Sequence, residues 1–145
     1  NESFALNVRF VVNILEMCKI TEVPKMPKFM SGVINLRGEV LPVIDMRLKF
    51  GMTEISVTKN TCILVLEIVT GRETTKVGIL VDSVNEVIEV EKEEIKNAPS
   101  IGGKYKSEFI AGLIENNDKF TMLLDINKVF STDEIINLNE INKSI

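Results

Sequence analysis

The sequence predicts an all-β protein made of two small five-stranded barrels that pack together, with short helical turns and a C-terminal helix. Three observations lead to this prediction. The chain contains an internal repeat, because residues 29–50 align without a gap to residues 109–130. Its apolar runs are short and rich in β-branched residues, which is typical of strands. Turn-forming residues separate these runs, and five short strands joined by tight turns form a barrel with few free edges.

The repeat has a constant offset of 80 residues and preserves individual residues as well as the apolar pattern. It pairs Phe29 with Phe109, Gly32 with Gly112, Ile34 with Ile114, Asp45 with Asp125 and Phe50 with Phe130. Upstream, residues 14–17 resemble residues 84–87 at an offset of 70, so the second copy carries extra residues within 91–108. A self-similarity of this kind predicts one structural unit that is used twice.

Both copies are expected to lie within one domain over residues 1–145. Repeat one covers about 1–57, repeat two about 61–130, and the C-terminal helix about 132–142. Copy two opens with a strand at 61–69, whereas copy one opens at the turn that follows the equivalent strand. We therefore expect the first strand of copy one to lie before Asn1, in a longer native chain.

The remaining elements follow from local patterns. Further strands are predicted at 75–81, 83–90, 112–114 and 120–124. Asp45 and Asp125 each follow an apolar strand at the same position of the repeat, which favours a helix N-cap over a catalytic carboxylate. The residues expected in the core are Ile34, Val43, Ile44, Leu113, Leu123 and Leu124.

Composition excludes several functional classes. The net charge is −4 and the basic residues are scattered, which argues against a nucleic-acid surface. Histidine is absent, so neither a histidine-based triad nor a zinc site with histidine ligands is available. We therefore predict no catalytic residues, no cofactor and no metal. No apolar run reaches the roughly 20 residues that a membrane-spanning helix needs, so no membrane insertion is expected. Cys18 and Cys62 lie in apolar runs and are predicted to be buried thiols.

Residues 23–52 carry a more specific signal. They contain a Pro-x-x-Pro loop, the segment Gly-Val-Ile-Asn-Leu-Arg-Gly, the strand end Pro-Val-Ile-Asp-Met-Arg and a closing Phe-Gly. This run resembles the CheW-like domains of bacterial chemotaxis, and the likeness continues through residues 78–84, 97–99 and 109–113. It covers essentially all of residues 3–130.

The resemblance implies a pair of five-stranded SH3-like barrels and a non-enzymatic adaptor in chemotaxis signalling. Such an adaptor couples chemoreceptors to the histidine kinase CheA, in the cytoplasm at the membrane-associated receptor array. Its implied partners are the cytoplasmic tip of methyl-accepting chemoreceptors and a regulatory domain of CheA that has the same fold. Two alternatives stay open: a CheW-like module of a CheV-type or CheA-type protein, and an SH3-like barrel that binds nucleic acid.

The resemblance also implies site residues. A receptor groove between the barrels is expected to involve Ile14, Glu16, Met17 and Arg37. A kinase-side interface within the array is expected at Lys96, Ser100 and Ile101. Ile14 has a competing interpretation as an ordinary core residue.

Arg37 is the unusual member of this set. Its counterpart in copy two is Asn117, a normal turn residue, whereas Glu16 is matched by Glu86. A turn needs no arginine, and a guanidinium can grip a carboxylate with two parallel hydrogen bonds. We therefore predict that Arg37 reaches Glu16 across the mouth of the groove and fixes the strand that carries Ile14.

Overall fold

The computed structural model describes residues 3–97 and 107–143, and β-strands dominate these ranges. The strands are β1 (Ser3–Ala5), β2 (Val11–Glu16), β3 (Met30–Leu36), β4 (Glu39–Asp45), β5 (Cys62–Thr70), β6 (Glu73–Val81), β7 (Ile95–Lys96), β8 (Ile110–Asn116) and β9 (Lys119–Leu124). The α-helices are α1 (Met46–Lys49), α2 (Ile126–Val129) and α3 (Thr132–Lys143). Within the described ranges, no helix has the length and apolar character that a bilayer crossing requires.

The strands belong to two compact units, and each unit combines distant parts of the sequence. The five-stranded unit comprises Phe10–Asn85 with Thr132–Ile145, and its strand order is β2-β5-β6-β4-β3. The four-stranded unit comprises Asn1–Arg9 with Glu86–Ser131, and its strand order is β1-β9-β8-β7. The boundaries of the compact units therefore differ from the repeat boundaries that the sequence suggests near residues 57 and 61.

The difference arises because β5 and β6 complete the sheet that copy one begins. β5 pairs with β2 along one edge, and β6 runs parallel to β4 with Val43 opposite Gly78. Apolar side chains from both sequence copies meet in one hydrophobic cluster of this unit. Its buried members are Ile34, Leu41, Val43, Ile55, Ile63, Val65 and Leu80. The strands of copy one alone would leave half of this core exposed to water.

The all-β prediction is confirmed, but the ladders of the described strands do not close into complete five-stranded barrels. The five-stranded sheet comes nearest to closure at Thr21, which follows β2 in the sequence. Thr21 donates a backbone hydrogen bond to Val33 of β3 (2.9 Å) and accepts one from it (2.8 Å). In the four-stranded unit, β1 pairs in parallel with β9 and is the last described strand on that side of the sheet.

The strand predicted at 83–90 is wrong. This segment has no regular secondary structure, and Val87 is 77% exposed. Its counterpart in copy one, β2, is held by a ladder with β5. No described strand pairs with 83–90, so its backbone lacks the neighbour that a ladder requires.

The internal repeat is confirmed down to strand register. Met30 pairs with Ile44 in the β3–β4 hairpin, and Ile110 pairs with Leu124 at the same place in the β8–β9 hairpin. Both hairpins shift register at the following step, before Gly32 and before Gly112. Each remaining pair of one hairpin recurs 80 residues later in the other, so the two hairpins are structurally equivalent.

Both predicted N-caps are also confirmed. Asp45 is 1% exposed, and its carboxylate accepts from the backbone N–H groups of Arg47 (2.9 Å) and Leu48 (3.2 Å). It accepts a third bond from Ile55 N–H (3.0 Å), which ties the connection before β5 to the end of β4. Asp125 accepts from Asn127 N–H (3.1 Å). These carboxylates satisfy helix N–H groups that have no partner within the helix.

α3 spans Thr132–Lys143, where the sequence predicts a helix over about 132–142, and packs on β4 and β6. Ile135 and Leu138 are its buried anchors. The Asn142 side chain accepts from Lys76 N–H (2.8 Å) and donates to the carbonyls of Lys76 and Val40 (3.1 Å each). This amide satisfies backbone groups just beyond the end of the short parallel ladder between β4 and β6.

The core prediction holds for Ile34, Val43, Ile44 and Leu124, which are buried, whereas Leu113 and Leu123 are only partly buried.

The prediction of two buried thiols is wrong. Cys18 is exposed because it lies beyond the end of β2, and Cys62 is half-buried at the start of β5.

The core assignment makes a stability prediction at Ile44, which is 1% exposed. Ile44→Ala removes buried methyl groups and leaves a cavity, so it should lower the free energy of unfolding by about 2–5 kcal/mol. Urea denaturation monitored by circular dichroism measures this loss. Val69→Ala is the matched control, because Val69 is 63% exposed in β5 and its truncation should change stability by less than about 0.5 kcal/mol. Equal losses in the two variants would contradict the strand register.

Candidate functional site

β2 presents an exposed apolar face at the edge of the five-stranded sheet. Its side chains alternate between half-buried and exposed, and Val12, Ile14 and Glu16 form the exposed set. Val12 is 50% exposed and Ile14 is 53% exposed. The interpretation of Ile14 as a core residue is therefore wrong. The intervening Leu15 packs against the core of the unit and fixes which side of β2 faces outward.

The backbone edge of β2 is partly covered by its own side chains. Ile14 N–H donates to the Asn13 side-chain carbonyl at 2.9 Å. An N–H group bonded in this way cannot pair with a strand from another chain. At Ile14, a partner can therefore contact the side chain but cannot pair with the backbone N–H.

A groove of about 520 Å³ adjoins this face. Residues 14–17 line one side, and residues 58–62 line the other. The two sides meet because Glu16 of β2 lies opposite Cys62 of β5. The groove combines apolar side chains such as Ile14 and Met17 with polar groups from the turn before β5.

The turn before β5 is held by its own threonines. Thr58 N–H donates to Thr61 Oγ1 (2.8 Å), and Asn60 N–H donates to Thr58 Oγ1 (3.1 Å). Thr61 is buried, so its hydroxyl is fixed inside the turn. Lys59 and Asn60 are exposed at the tip. The sequence alone did not identify this turn as part of the site, because only the β2–β5 pairing brings it next to Glu16.

The groove is lined by charges of both signs and by a neutral thiol. Glu16 and Lys59 place one acid and one base among the lining residues. Burial raises the pKa of the Cys62 thiol, so this thiol stays protonated and uncharged at neutral pH. In the described part of the chain, no cluster of three or more His, Cys, Asp or Glu side chains is arranged to hold a metal ion. The groove lining thus combines apolar side chains with charged side chains of both signs.

Arg37 occupies the tip of the β3–β4 turn in an unfavourable backbone conformation. Its φ is +52° and that of Gly38 is +85°, and the equivalent turn has Asn117 at +49° and Asp118 at +64°. Two-residue hairpin turns with positive φ prefer Asn, Asp and Gly. The left-handed conformation costs other residues about 1 kcal/mol or more. Asn117 therefore fits its turn better than Arg37 does.

The predicted ion pair between Arg37 and Glu16 is not formed. Neither residue takes part in any salt bridge among the described residues. Their strands, β3 and β2, stand at opposite ends of the sheet order, and Arg37 lies in the turn beyond β3. Arg37 is exposed, and its guanidinium has no carboxylate partner among the described residues.

The structure brings only part of the predicted groove set together. Ile14, Glu16 and Met17 line the groove, whereas Arg37 is not among its lining residues.

The kinase-side residues are only partly within the described ranges. Lys96 is exposed, and its ammonium donates to the Glu115 carboxylate at 3.2 Å. Both side chains of this ion pair are at least half exposed, so the pair adds little to stability. Ser100 and Ile101 lie outside the described residues.

Comparison with known proteins assigns the family. A family model described as the CheW-like domain matches residues 1–134. The chemotaxis protein CheW of Klebsiella aerogenes is 33% identical over 144 residues, which cover 99% of this chain and 84% of that protein. CheW of Bacillus subtilis is 32% identical over 132 residues, with 91% and 82% covered.

A solved structure supports the same family assignment. The crystal structure of the scaffolding protein TtCheW from Thermoanaerobacter tengcongensis superposes with a TM-score of 0.78 at 30% identity. The superposition covers 90% of this chain and 82% of that chain. The family assignment replaces the alternative of a nucleic-acid-binding barrel. The chain therefore belongs to the CheW-like family of chemotaxis proteins, which act as scaffolds and adaptors and not as enzymes.

Proposed function

We propose that this protein couples chemoreceptors to the histidine kinase CheA at the cytoplasmic side of the receptor array. The exposed face of β2 and the adjoining groove bind the cytoplasmic tip of the receptor, which is a helical hairpin. A separate surface that includes Lys96, Ser100 and Ile101 binds the kinase-side partner, a regulatory domain of the same fold. The relatives described above are CheW proteins, and this supports a CheW adaptor over a module of a CheV-type or CheA-type protein.

The observation that carries the proposal is the exposure of Val12 and Ile14. Two β-branched apolar side chains stand half-exposed on one face of an edge strand, beside a groove with polar and charged lining. A helix that lies on such a surface is held by a few apolar anchors, while charges at the rim set its register. Glu16 and Lys59 supply charges of both signs at this rim.

Arg37 adds a second line of support. A residue kept in an unfavourable backbone conformation suggests that its side chain has a function outside the turn. The guanidinium has no carboxylate partner among the described residues, so it is available to an acidic group of the receptor. A guanidinium binds a carboxylate through two parallel hydrogen bonds and so fixes the orientation of the partner.

The proposed interface with the kinase-side partner is supported by the family resemblance and by the exposure of Lys96. Lys96 lies on β7, in the other unit from β2. Two partners that use different units can be tested separately, because a change at β2 should leave the kinase interface intact.

The first test is Ile14→Asp, assayed by biolayer interferometry against a soluble receptor hairpin tip and against the CheA regulatory domain. Burial of an isoleucine side chain contributes about 1.5–3 kcal/mol, so the Kd for the receptor fragment should rise at least tenfold. The Kd for the CheA domain should not change. Stability should change by less than about 1 kcal/mol, since Ile14 is an exposed strand residue.

Val69→Asp is the matched control for this test. Val69 is an exposed valine on β5 of the same sheet, and it does not line the groove. The control should bind the receptor fragment as tightly as the wild-type protein does. Unchanged receptor binding by Ile14→Asp, or an equal loss in both variants, would refute docking on β2.

The second test replaces Arg37 by asparagine, the residue that the equivalent turn uses. Arg37→Asn should increase the free energy of unfolding by about 0.5–1 kcal/mol, because asparagine tolerates the left-handed conformation better. The same variant should weaken receptor binding about tenfold, since it removes the cation. Chemical denaturation and binding assays measure the two effects independently.

The mirror variant Asn117→Arg completes this experiment. It should lower stability by a similar amount and leave receptor binding unchanged, because residue 117 lies in the other hairpin. If Arg37→Asn gained stability without any loss of receptor binding, the guanidinium would have no role in docking. If Arg37→Asn instead lowered both the stability and the affinity for the receptor fragment, Arg37 would be a structural residue.

A further inference from the structure

The groove wall, which is formed by residues 58–62, is preceded by a connector that has no regular secondary structure. This connector comprises residues 52–57. Ile55 is buried in it, whereas the residues on both sides of Ile55 are exposed. A segment without a ladder or a helix of its own takes its position from the contacts that it makes with neighbouring elements. The contacts that hold the connector therefore influence where the groove wall stands.

Arg47 of α1 supplies two of the contacts that hold the connector. Its carbonyl accepts a hydrogen bond from Met52 N–H (2.7 Å), and its Nε–H donates to the Thr53 carbonyl (2.9 Å). A third contact is the bond from Ile55 N–H to the Asp45 carboxylate (3.0 Å). These bonds fasten the first part of the connector to the end of β4 and to α1.

The same guanidinium also reaches the end of β6. Arg47 Nη1 donates to Asp82 Oδ2 at 3.1 Å. Asp82 directly follows Val81, which pairs with Cys62 at the start of β5, and Cys62 lines the groove. A guanidinium carries its donors in a rigid fork, so one side chain can hold two acceptors in a fixed relative position. Arg47 therefore links the chain segment before the groove wall to the strand end that lies beside the last residue of the groove wall.

The internal repeat shows that the capped helical turn itself does not require this arginine. The position of Arg47 corresponds to that of Asn127, which is exposed on α2. Asp45 and Asp125 cap the two turns in the same way, by accepting from the backbone N–H of residues 47 and 127. After α1 the chain enters the connector, whereas after α2 it soon enters α3. The arginine thus occurs in the copy whose helical turn leads to the groove wall.

We propose that Arg47 is a positioning residue for the groove. By holding the Thr53 carbonyl and the Asp82 carboxylate together, it fixes the groove wall relative to the side of the groove that β2 forms. Arg47 does not itself line the groove, so it acts through the groove wall, which carries the exposed Lys59 at its tip. The expected effect of Arg47 on receptor binding depends on the proposed function, whereas its effect on the groove wall does not.

Amide hydrogen exchange of the ¹⁵N-labelled full chain, measured by NMR without any partner, tests the positioning role. Thr58 N–H and Thr61 N–H report on the groove wall, because they donate to Thr61 Oγ1 (2.8 Å) and to the Thr58 carbonyl (3.2 Å). In Arg47→Gln both amides should exchange about tenfold faster, since local opening of the groove wall becomes easier. Amides of the β3–β4 ladder should keep their rates. Arg47→Lys should not restore the wild-type rates, because lysine lacks the fork that holds both acceptors.

Lys76→Gln is the matched control. It breaks the ion pair between Lys76 and Glu39 in the same unit, which has a length of 3.2 Å and side-chain exposures of 37% and 58%, against 3.1 Å, 35% and 57% for Arg47 and Asp82. The control should leave exchange in the groove wall unchanged. In the binding assay, Arg47→Gln should raise the Kd for the receptor fragment about fivefold, because a mobile groove wall must be ordered on binding. The Kd for the CheA domain should not change.

Unchanged exchange at Thr58 and Thr61 in Arg47→Gln, or faster exchange confined to Ile55, would overturn the proposal, because the connector would then move without the groove wall. Equal acceleration at all protected amides would overturn it as well and make Arg47 a residue of general stability. Full recovery in Arg47→Lys would show that a cation beside Asp82 is enough and would contradict the two-acceptor link. Faster exchange of the groove wall with unchanged receptor binding would uphold the role of Arg47 and count against receptor docking in the groove.

Discussion

The structure of the five-stranded unit requires a residue without a Cβ atom at position 32, and this residue is Gly32. A Cβ at this position would lie 2.2 Å from the carbonyl oxygen of Thr21 and 2.9 Å from Cγ2 of Ile20. Because glycine has no side chain, Thr21 and Val33 can exchange their two backbone hydrogen bonds. The same constraint recurs at Gly112, where a Cβ would lie 2.6 Å from Ile95 Cγ2 and 2.9 Å from the Lys96 carbonyl. In both hairpins, the glycine allows a segment from outside the hairpin to pair with the first strand of the hairpin. This segment is Thr21 in one unit and β7 in the other.

The pairing of Thr21 with Val33 determines which side chains of β2 face outward. Leu15, Met17, Ile20 and Leu36 pack against the buried cluster, so the segment from β2 to Thr21 is held by inward-facing side chains. The alternation of a strand then directs Val12, Ile14 and Glu16 outward. A docking surface on a sheet that is fixed in this way needs little reorganisation when a partner binds, which lowers the entropic cost of association.

Sequence reasoning succeeded where a local signal repeats. The offset of 80 residues predicted two equivalent hairpins, and the same offset identified Asp45 and Asp125 as caps, because a capping role needs only the few residues that follow.

Sequence reasoning failed where the outcome depends on which strand becomes a neighbour. The segment 83–90 has the composition of a strand but no described strand to pair with, and β5 and β6 joined the sheet of the first copy. The Arg37–Glu16 pair was inferred from matched positions, which contain no information about the distance between the two side chains. The turn at 58–62 became part of the site only through the pairing of Glu16 with Cys62.

In the proposed complex, the receptor tip contacts the exposed face of β2 and the adjoining groove. Methyl NMR of the protein with ¹³C-labelled isoleucine and methionine methyl groups tests this claim most directly. Addition of a receptor hairpin fragment should shift the methyl resonances of Ile14 and Met17, whereas the resonance of Ile68, which is fully buried on β5, should stay in place. Unchanged Ile14 and Met17 resonances at saturating fragment, with shifts confined to other methyl groups such as that of Met122, would contradict the account.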